Sequence, residues 1–206
     1  VKRGAGLVVP PSGAVAAVIQ RVDRLRGVWK APANEALAQV VKPEFSVLQA
    51  QAQALLSSQG SLPCNLIRSF PGRGVRVWGC RTLLDEDGSP WRYLQVRRLL
   101  SYIENRLREL GRFCVFEPNN EITWLKLKSL FRSVLSELWL RGALYGRSEE
   151  EAFRLYVGLG ESMTQDDIMA GRLIFRVELA ALYPAEFLEL SLRFNVMEGQ
   201  EGGGAA

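Results

Sequence analysis

Apolar positions along this chain recur with two spacings, one of three to four residues and one of two. The helical spacing is strongest in the middle. Val96, Leu99, Leu100, Ile103, Leu107 and Leu110 fall on one stripe and Arg97, Arg98, Glu104, Arg108 and Glu109 on the water-facing side, which predicts a helix over 96–110. A longer helix is predicted from Asn119 or Asn120, either of which suits an N-cap, to about Arg141; Trp124, Leu127, Phe131, Val134 and Leu138 form its buried stripe. Near the start, Ser12 suits the cap of a helix ending at Arg26, with Val15, Val18, Val22 and Leu25 on one face and Gly27 as terminator. A short helix is predicted over 51–60, stopped by Gly60.

The period of two is cleanest late in the chain. Leu173, Phe175, Val177 and Leu179 share one face of a predicted strand, and Leu188, Leu190, Leu192, Phe194 and Val196 share one face of another. Further strands are predicted at 40–47, 65–70, 75–83 and 152–157, and the continuous apolar run Phe113–Phe116 has the pattern of a strand covered on both faces. Ser148-x-x-Glu151 and Thr164-x-x-Asp167 are capping boxes, the first opening a single turn and the second a short helix stopped by Gly171. These elements sum to one mixed α/β (α+β) domain over 11–196, a mixed sheet flanked by helices. Residues 1–10 form an arm or linker ahead of it, and 197–206 a flexible Gly-rich tail.

Composition narrows the chemistry. With 206 residues, the chain is long enough for one sizeable core. The net charge of +4 is the small difference between 26 basic and 22 acidic side chains that interleave, so no uniformly basic face is expected. Histidine is absent, which removes the usual neutral-pH base, the Ser-His and Cys-His pairs and most zinc sites. Cys64, Cys80 and Cys114 are odd in number and widely spaced, fitting reduced thiols rather than a disulfide framework or metal cage. Pro10-Pro11 interrupts the apolar run after Lys2 and Arg3 and the chain opens with Val, so the start is expected to be an internal cut point followed by a linker, not a secretory leader. No stretch has the length and hydrophobicity of a membrane span, and no stable membrane association is expected.

The candidate motifs point away from catalysis. Gly72 and Gly74 flank Arg73 in a loop that resembles a phosphate cradle, but a dinucleotide fingerprint needs a third glycine where Val77 stands and a helix where a strand follows. A glycine hinge between two strands is the better account. Asp166 and Asp167 are adjacent on a helix, diverge by about a third of a turn, and suit capping rather than a metal. The acidic run 85–88 lacks the remaining ligands of a calcium loop. Neither catalytic, cofactor-binding nor metal residues are expected. Arg92, Arg97 and Arg98, interleaved with Trp91 and Tyr93, leave three readings open: contacts to nucleic acid, the wet faces of amphipathic helices, or forked pairing with carboxylates of a partner protein. The strand at 187–196, with Phe187, Leu188, Leu190, Leu192 and Phe194, is long, regular and close to the end of the sequence, a pattern that invites pairing with another chain.

Several segments in order carry a family resemblance. "PPSGAVAAVIQRVDRLRGVWKAPANEAL", "NLIRSFPGRGVRVWGCRTL", "WRYLQVRRLLSYIENRL", "FEPNNEITWLKLKSLFRSVLSELWLRGALYG", "TQDDIMAGRLIF" and "YPAEFLELSLRF" together resemble the C-terminal domain of the tail sheath proteins of contractile phages, bacteriocins and related injection systems, from about Pro10 to Phe194. The resemblance implies a structural protein without enzymatic activity or cofactor. Its subunits would form hexameric rings stacked helically around an inner tail tube protein, with baseplate and terminator proteins as further partners and no direct nucleic-acid contact. It implies assembly in the cytoplasm into a phage tail or phage-tail-like particle, and contraction that drives the tube through a target membrane. Neighbouring subunits would be knitted by strand exchange, for which 187–196 is the candidate here. Members of this family carry outer domains and a longer N-terminal arm ahead of the region where this sequence starts. The alternative reading is a nucleic-acid-associated module using the Arg92, Arg97 and Arg98 face.

Overall fold

The computed structural model describes residues 1–3, 6–48, 51–52, 55–56, 64–84 and 89–182. Within them the chain runs β1 (Lys2–Arg3), β2 (Leu7–Val8), α1 (Ser12–Arg26), β3 (Glu35–Ala36), β4 (Leu66–Phe70), β5 (Gly74–Trp78), α2 (Leu94–Gly111), α3 (Glu121–Leu140), α4 (Glu149–Ala152), β6 (Phe153–Val157), α5 (Gln165–Met169) and β7 (Phe175–Leu179), with 3-10 turns at Pro90–Arg92 and Arg112–Cys114. The class is the mixed α/β one that the hydrophobic patterns predict. Among the described residues the strands are spread over three small antiparallel ladders, β1–β2, β3–β5–β4 and β6–β7.

Two apolar clusters organise the packing. In the smaller, Val18 and Val22 of α1 press on Val75 and Val77 of β5 and on Leu37, so one helix stripe closes one face of the hairpin. The larger joins Leu99, Ile103 and Leu107 of α2, Leu127, Phe131, Leu135 and Leu138 of α3, and Phe153, Leu155 and Val157 of β6. Spacing by three and four puts each helix set on one stripe, while spacing by two puts the strand set on one face. Phe131 is completely buried and meets the Phe175 ring edge-on at 4.7 Å.

Local chemistry sets the ends of these elements. Asn120, not Asn119, caps α3, its side chain accepting from the Thr123 N–H at 3.1 Å. Asn119 instead accepts from Trp124 Nε1 at 2.7 Å and donates to the Arg172 carbonyl at 3.0 Å, tying the start of α3 to the lead into β7. The Thr164–Asp167 capping box forms in full at the head of α5. The Ser148 box does not form: Ser148 makes no side-chain cap bond, and Glu151 accepts from the Arg147 N–H, one residue before the cap, at 2.8 Å. Gly72 and Gly74 take φ of 68° and 71° in the turn between β4 and β5, where the Arg73 N–H donates to the Phe70 carbonyl at 3.1 Å. A Cβ would meet nothing within 4 Å at either position, so it is the left-handed backbone, not space, that calls for glycine.

Some expectations are corrected. Residues 40–47 form no strand; Pro43 removes an N–H and biases its neighbour, and Val41 and Phe45 are exposed. Leu25 is exposed too, so the buried stripe of α1 is narrower than its apolar content. The run 113–116 is not a covered strand. The connection from α2 to α3 has no ladder partner among the described residues, and its backbone closes locally, Val115 N–H to the Arg112 carbonyl at 3.2 Å and Glu117 N–H to the Cys114 carbonyl at 3.1 Å. Phe113, Val115 and Phe116 are left exposed. The strand after Gly74 ends at Trp78, with Gly79 in a positive-φ conformation, although Arg81 bridges Tyr93 beyond it. Of the helix predicted at 51–60, Gln51–Ala52 and Leu55–Leu56 are described and helical. The acidic run 85–88, the strand 187–196 and the tail 197–206 lie outside the described residues.

Candidate interaction surfaces

The β6–β7 ladder has two unlike flanks. Its register pairs Phe153 with Leu179, Leu155 with Val177 and Val157 with Phe175, so six apolar side chains face the helices. The β6 members are buried, whereas Phe175, Val177 and Leu179 are half-buried. Among the described residues β7 pairs only with β6. Along β7 lies a groove of about 1100 Å³ whose wall is Leu173, Phe175, Val177 and Leu179 and whose floor is Leu100, Ile103 and Leu107 of α2. On the β6 side a cavity of about 320 Å³ is lined by Lys128, Arg132, Glu149 and Glu150 together with Phe153, Leu155 and Tyr156. The groove is the roomier and the more apolar of the two, although Glu104, Arg108, Arg112 and Glu117 also border it.

Charged groups near the ladder are largely paired. Lys128 Nζ meets Glu161 at 3.0 Å, and the same carboxylate accepts from the Val157 N–H at 3.0 Å; the lysine first and the backbone second hold its pKa below the usual carboxylate range. The Asp167 carboxyl is held down at about 2 by the Thr164 N–H it accepts from, then by Arg172 and by the Thr164 hydroxyl. Asp167 is therefore a capping group, and no metal role is needed for it. The Cys114 thiol, half-buried in the groove, is pushed up by burial and further by the charge of Glu117.

At the rim of the groove stands Phe116. Its ring is fully exposed and its backbone φ is 72°, in the left-handed region that bulky residues avoid. Such a conformation costs of order 1–3 kcal/mol. Sequence reading misses this residue, because the run 113–116 has the pattern of a covered strand. The signal is available in Gly111 and Pro118, turn-forming residues that bracket the run between two helical stripes.

The three candidate arginines do not form one free face. Arg98 grips Asp23 of α1 with both guanidinium nitrogens, Nη1 at 2.7 Å and Nη2 closing the fork, and this hydrogen bonding raises its pKa. It bridges the two clusters rather than facing water as its place on the helix suggests. Arg97 lies over the Trp91 ring at 4.4 Å and remains exposed, and Arg92 is half-buried. The inter-subunit candidates Phe187, Leu188, Leu190, Leu192 and Phe194 lie outside the described residues. Among the described residues no group of three His, Cys, Asp or Glu could hold a metal ion, and no helix is long and apolar enough to cross a membrane.

Comparison with known proteins gives one consistent answer. Residues 86–195, more than half of the chain, match the model of the phage tail sheath C-terminal domain. The fold superimposes on a chain of the anti-feeding prophage baseplate, a cryo-EM structure with 6-fold symmetry, with TM-score 0.86 and 39% identity, covering 95% of this chain and 53% of that one. It superimposes on the PVC sheath of an extracellular contractile injection system in the contracted state with TM-score 0.87 and 41% identity, covering 95% and 54%. For the helical sheath of the anti-feeding prophage in the contracted state the values are 0.82 and 42%, covering 94% and 53%. The chain thus spans about half the length of each of these. No curated protein gives a significant match. The chain belongs to the family of phage tail sheath C-terminal domains.

Proposed function

We propose that this chain is part of a contractile tail sheath subunit, a mechanical element that polymerises as stacked hexameric rings around an inner tube and shortens to drive that tube through a target membrane. The observation that carries this is the likeness, at 41–42% identity over nearly the whole chain, to sheaths captured in the contracted state. The role asks for no enzymatic step in this chain. Inner tube and terminator proteins, and assembly in the cytoplasm of the producing cell, belong to the same reading. The duplex-binding alternative loses support from the commitment of Arg98 to Asp23 inside the fold.

Copies hold together in this reading by adding a strand to one another's sheets. The ladder supports it physically: β7 has an apolar face only half covered by its own helices, beside a groove that one more strand would fill. Added main-chain bonds give affinity, and alternate side chains give register. The segment 187–196 is the proposed donor, and Leu190→Asp or Leu192→Asp places a charge on its apolar face. Each is expected to abolish cylinders in negative-stain microscopy while the protein stays soluble and folded by circular dichroism. Normal cylinders from both variants would sink the strand-addition reading.

A further inference from the structure

We propose that Phe116 is the residue that clamps the added strand, its ring closing over the apolar side chains of segment 187–196 from a second copy of this chain as that segment lies along β7. This inference rests on the strand-addition reading above.

Three observations meet at this residue. The loop after α2 turns Phe116 into a left-handed backbone, a conformation that glycine or asparagine adopts far more readily, and in doing so stands the ring out of the molecule instead of burying it. The same loop borders the groove, where Val115, Phe116 and Pro118 line it together with Leu173 and Phe175. Its position is fixed from below, because Asn119 holds both Trp124 and the Arg172 carbonyl. A strained, exposed aromatic on a rigid support beside an incompletely covered sheet face is the arrangement of an anchor awaiting its apolar partner.

The occupant follows from the groove and from the chain that lies outside the described structure. The groove wall is apolar at every second residue of β7, and 187–196 repeats apolar residues with that same period. The described chain leaves β7 on its β6 flank: Ala180 donates to the Ala152 carbonyl and accepts from the Tyr145 N–H, both at 2.9 Å, and Ala181 bridges Leu144. None of these bonds lies on the groove flank. With relatives solved as assembled sheaths, a neighbouring copy is the source we assign to the strand.

The test uses the full chain. Phe116→Gly relieves the backbone and removes the ring, Phe116→Ala removes only the ring, and Phe116→Tyr keeps it. The Gly and Ala variants are expected to cut cylinder yield about tenfold or more, with the thermal midpoint of the Gly variant at or above wild type, and the Tyr variant is expected to assemble. Photo-crosslinking from p-benzoylphenylalanine incorporated at position 116, in cylinders mixed from isotopically light and heavy copies, is expected to join 116 of one copy to 187–196 of another. Crosslinks confined to one chain, to a different region or to a tube protein overturn the inference. So does normal assembly of Phe116→Ala while Leu190→Asp abolishes it, an outcome that leaves strand addition standing. Normal assembly of both Phe116→Ala and Leu190→Asp overturns both readings.

Discussion

The two apolar clusters solve the burial problem differently. In the smaller, α1 covers the β4–β5 hairpin and the central strand β5 has a neighbour on each side, so Val18, Val22, Val75 and Val77 are all at most 5% exposed. In the larger, Phe131 and Leu135 are entirely buried, yet β7 at its margin keeps half its apolar face open to a groove. A sheet that its own helices do not fully cover gains free energy from one more strand, at about 25 cal/mol per Å² of apolar surface removed from water. Stability and readiness to associate therefore reside in one cluster but in different residues of it.

Phe131→Ala is the substitution that breaks this contrast most severely. It empties the centre of the larger cluster, removing the ring that meets Phe175, and is expected to cost about 3–5 kcal/mol, read as a fall in the urea midpoint. Because the loss sits between α3 and β7, assembly is expected to fail together with folding. Leu190→Asp separates the two, with assembly lost and the urea midpoint kept.

The link between the clusters comes next in size. Asp23 and Arg98 are each less than a third exposed and pair through both guanidinium nitrogens. Asp23→Asn leaves a partly buried cation without its carboxylate and is expected to cost about 1.5–3 kcal/mol. Val28 and Trp29, which pack on the larger cluster, and Arg141 over the Trp29 ring at 5.0 Å remain in place. Calorimetry is therefore expected to show one transition at a lower midpoint. Two resolved transitions would mean that the clusters are separate units held together by this pair.

What the sequence makes legible follows the same division. Long stripes such as Leu127, Phe131 and Leu138 announce themselves, because a helical period sustained over 20 residues fits a helix and little else. The period of two in 175–179 does the same for β7. Short apolar runs do not. Val40–Val47 and Phe113–Phe116 have strand-like composition, but a strand needs a partner within reach, and partner geometry is a property of the whole fold. Arg98 reads as solvated because its own helix places it off the main stripe; Asp23, distant in sequence, is invisible to a periodicity argument. The groove is hidden for the same reason, being made by α2, the 112–118 turn and β7 together.

The smallest effect probes the entry to the groove. Asp167 has a folded pKa of about 2 against an ordinary 3.8, so the stabilisation from its capping bonds is fully present above about 4 and is lost as pH falls toward 2. The carboxyl is half-buried at the surface under an exposed Arg172, which keeps the global effect small and sensitive to salt. Its position makes the local effect informative. Asp167 holds Arg172 at 2.7 Å, and the Arg172 carbonyl in turn accepts from Asn119, so the cap at α5 fixes the segment that leads into β7 at one end of the groove. Lowering the pH from 5 to 2.5, or substituting Asp167→Asn at neutral pH, is expected to lower the amide protection factors in 165–174, each taken against the intrinsic exchange rate at the same pH, while leaving those of the β6 amides of Phe153–Val157 unchanged. The variant is expected to lose the wild-type dependence on pH across that window. Equal loosening of β6 would show that the groove margin and the core yield as one unit, and the distinction between a finished core and an unfinished sheet would fail at this point.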